Sequence, residues 1–124
     1  MRRERGSFSV ELAVLAPAVL LVISFIISVG RVTDARAQTQ GAARDAVRAA
    51  TINHNGNAEA AAQAAYRRAV AGRDCDPAAD MRPTVPVPGQ PVTVTATCHV
   101  GTMWGRRTIV RTVASAVDVY RGTD

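Results

Sequence analysis

The chain contains no lysine, two cysteines, two histidines and few aromatic side chains. Each shortage excludes something. All 15 basic residues are arginine, a bias that a GC-rich genome accounts for, and they leave a formal charge of +5. No basic patch interleaved with aromatics accompanies that charge, so it reads as a solvated basic surface with no nucleic-acid partner. The aromatics are Phe8, Phe25, Tyr66, Trp104 and Tyr120, and both phenylalanines lie in the N-terminal segment. A core built beyond that segment rests on alanine and valine, which bury little area each, so it is marginal without support. Catalytic signatures are missing as well: there is no glycine-rich phosphate loop, no H-E-x-x-H and no G-x-S-x-G. His54 falls in a polar turn and His99 on the outer face of an expected strand, which makes each a solvated residue before a base. Cys98 and His99 are adjacent and point to opposite faces of a strand, and no C-x-x-C or H-x3-H spacing exists. Asp74, Asp76 and Asp80 lack the spacing of a calcium loop and read as a solvated loop. Of 124 residues an apolar N-terminal segment takes about a quarter, and what remains is short for a large cleft. An enzyme is disfavoured, and no catalytic residue, metal or cofactor is expected.

The strongest positive signal is the run from Leu12 to Val29, LAVLAPAVLLVISFIISV, which carries no charge and is interrupted only by Pro17, Ser24 and Ser28. At 1.5 Å per residue it covers about 27 Å of helix, close to the hydrocarbon thickness of a bilayer. Pro17 is tolerable there, because the carbonyl it frees can be satisfied locally or by a neighbouring helix. Arg2, Arg3 and Arg5 precede the run, while Arg31 and Arg36 follow it with Asp34 between them. The denser cluster in front favours a cytoplasmic N-terminus. The competing reading is a cleaved secretory signal, which the length of the run and the lack of a small-x-small site disfavour. Cys75 and Cys98 both follow the span. An even pair in an extracytoplasmic domain with a thin core reads as a disulfide, with two free thiols as the alternative.

Beyond the span, residues 31–52 are rich in helix formers. Val32, Ala35, Ala42, Ala43, Ala46, Ala49 and Ala50 form an apolar stripe at helical spacing. No strong breaker separates this stretch from the apolar run, so one long helix is expected to leave the membrane and become the spine of the domain outside. Asn53 to Gly56 is a turn. Asn57 can cap a second helix running to about Ala71, with Glu59 in its first turn and Gly72 ending it. Arg73 to Gly89 reads as an irregular, proline-rich loop. From Pro91 a clean alternation puts Val92, Val94, Ala96, Cys98 and Val100 on one face. Gly101 to Arg107 reads as a hairpin loop, and Thr108 to Tyr120 as a second strand with Ile109, Arg111, Val113, Ser115, Val117 and Val119 on one side. Trp104, in that loop, is either a partner contact or a cover over the small core. The expected class is α+β: a long N-terminal transmembrane helix, a short second helix and a small antiparallel sheet.

One constellation stands out in front of the span. A basic leader ends at Gly6, Ser7-Phe8-Ser9-Val10 follows, and Glu11 sits at the edge of the hydrocarbon, where a carboxylate is costly unless paired. This pattern resembles that of type IV prepilin-like proteins, which a prepilin peptidase cuts after the glycine on the cytoplasmic side. The wider stretch from Gly6 through Pro17, then Gly30 to Arg36 and Ala42 to Ala50, resembles the TadE-like family of tight-adherence pilus systems, in its actinobacterial form. The resemblance covers roughly residues 6 to 50. It implies a pilin-like membrane protein, a minor pilin or an assembly factor, whose partners are the membrane, other pilins and pilus assembly proteins, and the peptidase. It assigns Gly6, Ser7 and Glu11 to processing and matches Pro17 to the proline of the family's helix. Position 7 departs from the aromatic residue preferred by major pilins, although Phe8 follows it. The chain then divides into a basic leader (1–6), a transmembrane anchor (7–30, centred on the run from Leu12 to Val29) and an extracytoplasmic pilin-like domain (31–124). The alternative is an unprocessed single-pass adaptor of the envelope or of a secretion machine.

Overall fold

The computed structural model describes residues 4–53 and 56–117. Arg2 and Arg3 of the leader, His54 and Asn55 of the turn, and Val119 and Tyr120 of the last β run lie outside the described residues. Five elements follow in order: α1 (Glu4–Ile52), α2 (Ala58–Ala69), β1 (Asp80–Arg82), β2 (Pro91–Thr102) and β3 (Gly105–Ala116). The architecture is α+β, as the sequence implies.

Helix α1 runs unbroken through 49 residues, including Pro17 and Gly30. Its second half buries Thr39, Ala42, Ala43, Ala46, Val47 and Ala50, steps of three, one, three, one and three that keep one stripe turned inward. Four alanines of the expected stripe are therefore in the core, while Val32, Ala35 and Ala49 at its edges are half-buried. Thr39 joins them because its hydroxyl donates to the Ala35 carbonyl at 2.6 Å, which leaves no unpaired polar atom behind. Small residues on this face let α2 approach closely with Ala58, Ala62 and Tyr66, four apart along its own inner face. Asn57 stands at the N-cap of α2, but its side chain makes no capping bond. The helix also stops at Ala69, two residues short of expectation, and Gly72 supplies the left-handed turn that follows (φ +75°).

The three strands form one antiparallel sheet in the order β1-β2-β3, packed on α1 through β2 and β3. Two expectations need correction. The stretch from Arg73 to Gly89 is not wholly irregular, because Asp80–Arg82 pairs with Thr93 to Thr95 as an edge strand. The hairpin loop is also much shorter than Gly101 to Arg107. Thr102 pairs with Gly105, leaving Met103 and Trp104 as a two-residue turn, with Gly105 at φ +114°. Arginine and glycine at a solvent-facing hairpin end do not stop backbone pairing, so the ladder continues through them. The alternation of β2 holds: Val92, Val94, Ala96 and Cys98 are buried, and the threonines between them are half-exposed. On β3, Ile109 is buried, Arg111, Val113 and Ser115 are half-buried, and Val117 just beyond the strand is buried. The core is as rich in alanine and valine as composition requires, and Tyr66, fully buried, is its one large ring among the described residues.

Candidate functional site

The first half of α1 is the most unusual surface of the molecule. From Phe8 to Val29, 14 large apolar side chains are exposed, and no part of the most apolar window, with a mean hydropathy of 2.8, is buried. They surround the helix and form no single stripe, so one packing partner on one side would leave the rest in water. An exposed patch of this extent marks a membrane or protein contact. The helix is long and apolar enough to cross a membrane. Its few polar groups suit that setting: Ser28 donates its hydroxyl to the Ser24 carbonyl at 2.9 Å, so it would enter hydrocarbon already satisfied. Pro17 removes the amide that would bond the Ala13 carbonyl, one turn back. Gly6 and Ser7 lie in the backbone of the same helix, and Glu11 is exposed on it, one turn beyond Ser7. Among the described residues Glu11 makes no ion pair.

The second cluster surrounds Cys75 and Cys98, beside the stretch of α1 from Arg31 to Thr39. Cys75 and Cys98 form a disulfide at a sequence separation of 23. The backbone explains why the bridge forms there. The Asp76 amide donates to the Thr97 carbonyl and the His99 amide to the Asp74 carbonyl, which makes Cys75 and Cys98 a facing pair without hydrogen bonds of its own. In that register side chains approach most closely. Each of the three aspartates has a partner nearby: Asp74 pairs with Arg106, Asp80 pairs with Arg82, and the Asp76 carboxylate lies against His99. His99 is more tied than its expected place on an outer face implied. Its Nε2 lies 3.3 Å from the Asp76 carboxylate and its Nδ1 3.1 Å from the Thr108 hydroxyl, so neither ring nitrogen is left for a substrate or a metal. Among the described residues no group of three metal-ligating side chains is found. Trp104 does not cover the core. It stands at the hairpin turn with 75% of its surface exposed.

Residues 6–48 match the family model described as TadE-like protein. The match covers about a third of the chain. No curated protein and no solved structure matches the chain. The TadE-like segment begins at Gly6 and contains Ser7, Glu11, Pro17 and the whole apolar run. It ends at Arg48, within the stripe that α1 buries in the domain, so it joins the exposed half of the helix to the packed half. The family is one of pilus-associated, pilin-like proteins without catalytic activity. The disulfide, the sheet and α2 all lie outside the TadE-like segment.

Sequence reasoning missed two residues that hold the domain beyond that segment. Tyr66 donates its hydroxyl to the Asp76 carbonyl at 2.9 Å, anchoring the disulfide loop from below. Gln63 does the same further along, donating to the Ala79 carbonyl at 2.7 Å and accepting from the Ala79 amide at 3.0 Å. The only available signal was their spacing on one face of α2, which says that they turn inward and nothing about what they meet.

Proposed function

We propose that the protein is a single-pass, pilin-like membrane protein of a tight-adherence pilus, acting as a minor pilin or as an assembly factor. One observation carries this reading: a helix apolar all round, left uncovered by the described residues, continues without a break into the core of a folded domain. The TadE-like match over the same residues supports it. The arginine leader keeps the N-terminus in the cytoplasm and the disulfide-bearing domain outside. A prepilin peptidase cuts after Gly6, exposing the α-ammonium of Ser7. When anchor helices bundle, that ammonium pairs with Glu11 of a neighbouring subunit, which relieves the cost of a carboxylate at the hydrocarbon edge.

Intact-mass measurement on protein from a strain carrying the peptidase tests the first step. The mature chain is expected to start at Ser7, and Gly6→Leu to leave it starting at Met1, because a bulky residue blocks the cut. Glu11→Ala is expected to insert normally but to impair piliation. A wild-type chain still starting at Met1 would favour the unprocessed adaptor instead. Normal piliation with Glu11→Ala would remove the carboxylate from assembly.

A further inference from the structure

The hairpin turn between β2 and β3 hangs back toward the anchor. Between it and α1 lies an open groove of about 600 Å³, whose walls include Phe25, Val29 and Arg36 on the helix and Trp104, Arg107 and Arg111 on the hairpin. Phe25 lies four residues inside the end of the apolar run, about 6 Å along the helix, so the groove straddles the level at which the run ends. Its chemistry is graded. Phe25, Ser28 and Val29 line the part beside the apolar run, while Arg36, Arg107 and Arg111 line the rest with no carboxylate among the lining residues. Arg106 is not available to it, being paired with Asp74. The Arg111 side chain comes from the inner face of β3, and its Nε is buried without a hydrogen-bond partner among the described residues. Beside the groove Met103, Trp104 and Val110 expose 49%, 75% and 55% of their surface, a costly display in water.

We propose that this groove binds the headgroup of an anionic phospholipid of the outer leaflet, with the Met103–Trp104 turn dipping into the interface beside it. The proposal rests on the membrane-spanning reading above. Given that reading, the hairpin turn sits at the outer surface, where tryptophan is favoured and arginine meets phosphate. Acyl chains then run along Phe25 and Val29, the phosphate faces Arg36 and Arg107, and the unpartnered Nε of Arg111 acquires an acceptor. A neighbouring protein would also cover the apolar part, but the uncompensated arginines and the continuity with the span favour lipid. The domain is thereby held against the membrane at a second point.

Trp104 is the only tryptophan in the chain, which makes it a direct reporter. The full chain is reconstituted in phosphatidylcholine vesicles containing small amounts of phosphatidylglycerol. One lipid at a time carries bromine on its acyl chains, near the headgroup or deep. Expected is strong quenching of Trp104 by shallow bromine and weak quenching by deep bromine, with brominated phosphatidylglycerol effective at a lower mole fraction than brominated phosphatidylcholine. Arg36→Gln with Arg107→Gln, both exposed positions, should erode that preference by roughly fivefold per arginine removed. Protease protection of the span in the same vesicles separates the two readings. An inserted span with a solvent-exposed Trp104, or with quenching indifferent to lipid charge, overturns the headgroup site alone. Protection of Trp104 that grows with the protein-to-lipid ratio assigns the groove to a neighbouring copy and overturns it too. A span that does not insert overturns both.

Discussion

Tyr66 is the residue on which the domain most depends. Among the described residues it is the one large ring in a core made mostly of alanine and valine, and its hydroxyl holds the backbone of the disulfide loop. Removing the ring leaves a cavity that alanine and valine neighbours cannot fill, so Tyr66→Ala should cost about 3–5 kcal/mol. Tyr66→Phe should cost about 0.5–1.5 kcal/mol, because the part-buried hydrogen bond to the Asp76 carbonyl is lost. The phenol also makes stability depend on pH. Burial, and then the nearby Asp76 carboxylate, raise its pKa above the ordinary value of 10.0. Above about pH 10 an unfolded tyrosine has lost its proton while the native one keeps it. Unfolding then releases a proton, and stability falls as pH rises through that window. Thermal melts of the wild type in detergent from pH 8 to 11 should show a steeper alkaline fall than those of Tyr66→Phe. Equal slopes would mean that the ring titrates alike in both states.

Among the elements, those with their own periodicity were readable in advance and those made by a distant partner were not. The apolar run of α1 and the alternation of β2 announce themselves, since each is set by residues within a few positions. Strand β1 is three residues long and is followed by Pro83. Nothing local makes Asp80–Arg82 extended, and it is a strand only because Thr93 to Thr95 offer it an edge. The tightness of the hairpin turn was hidden for a related reason: Arg106 and Arg107 look like loop residues until Gly101 and Val100 are seen to pair with them. The disulfide ties the leading end of this region to β2. With a separation of 23 residues it should contribute about 3 kcal/mol in the chain-entropy model. Reduction is expected to lower the unfolding midpoint by about 10 °C or more, read by thermal melts with and without reductant. Unchanged midpoints would show that the domain holds together without the bridge.

At the scale of the molecule, the α+β class and the order of the two helices and the β2–β3 hairpin followed from the sequence, because one uncharged run and one alternating run fix where helix and sheet go. The surroundings of Trp104 and His99 did not, since each depends on which residues the sheet brings across from the other strand. The proposed orientation in a membrane rests on the arginines in front of the apolar run and is directly testable. A reporter fused after Asp124 should be active only outside the cytoplasm. Cytoplasmic activity would reverse the topology, and with it the compartment that sustains the disulfide. The unbroken α1 has a further consequence, which is rotational. No hinge separates anchor from domain, so the azimuth of the sheet is locked to that of the apolar helix. Inserting one residue between Gly30 and Arg31 turns the whole domain by about 100° about the helix axis, whereas inserting seven returns it to within about 20° of where it began. If neighbours in a fibre recognise both anchor and domain, piliation should fail with one extra residue and recover with seven, a dependence on phase and not on length.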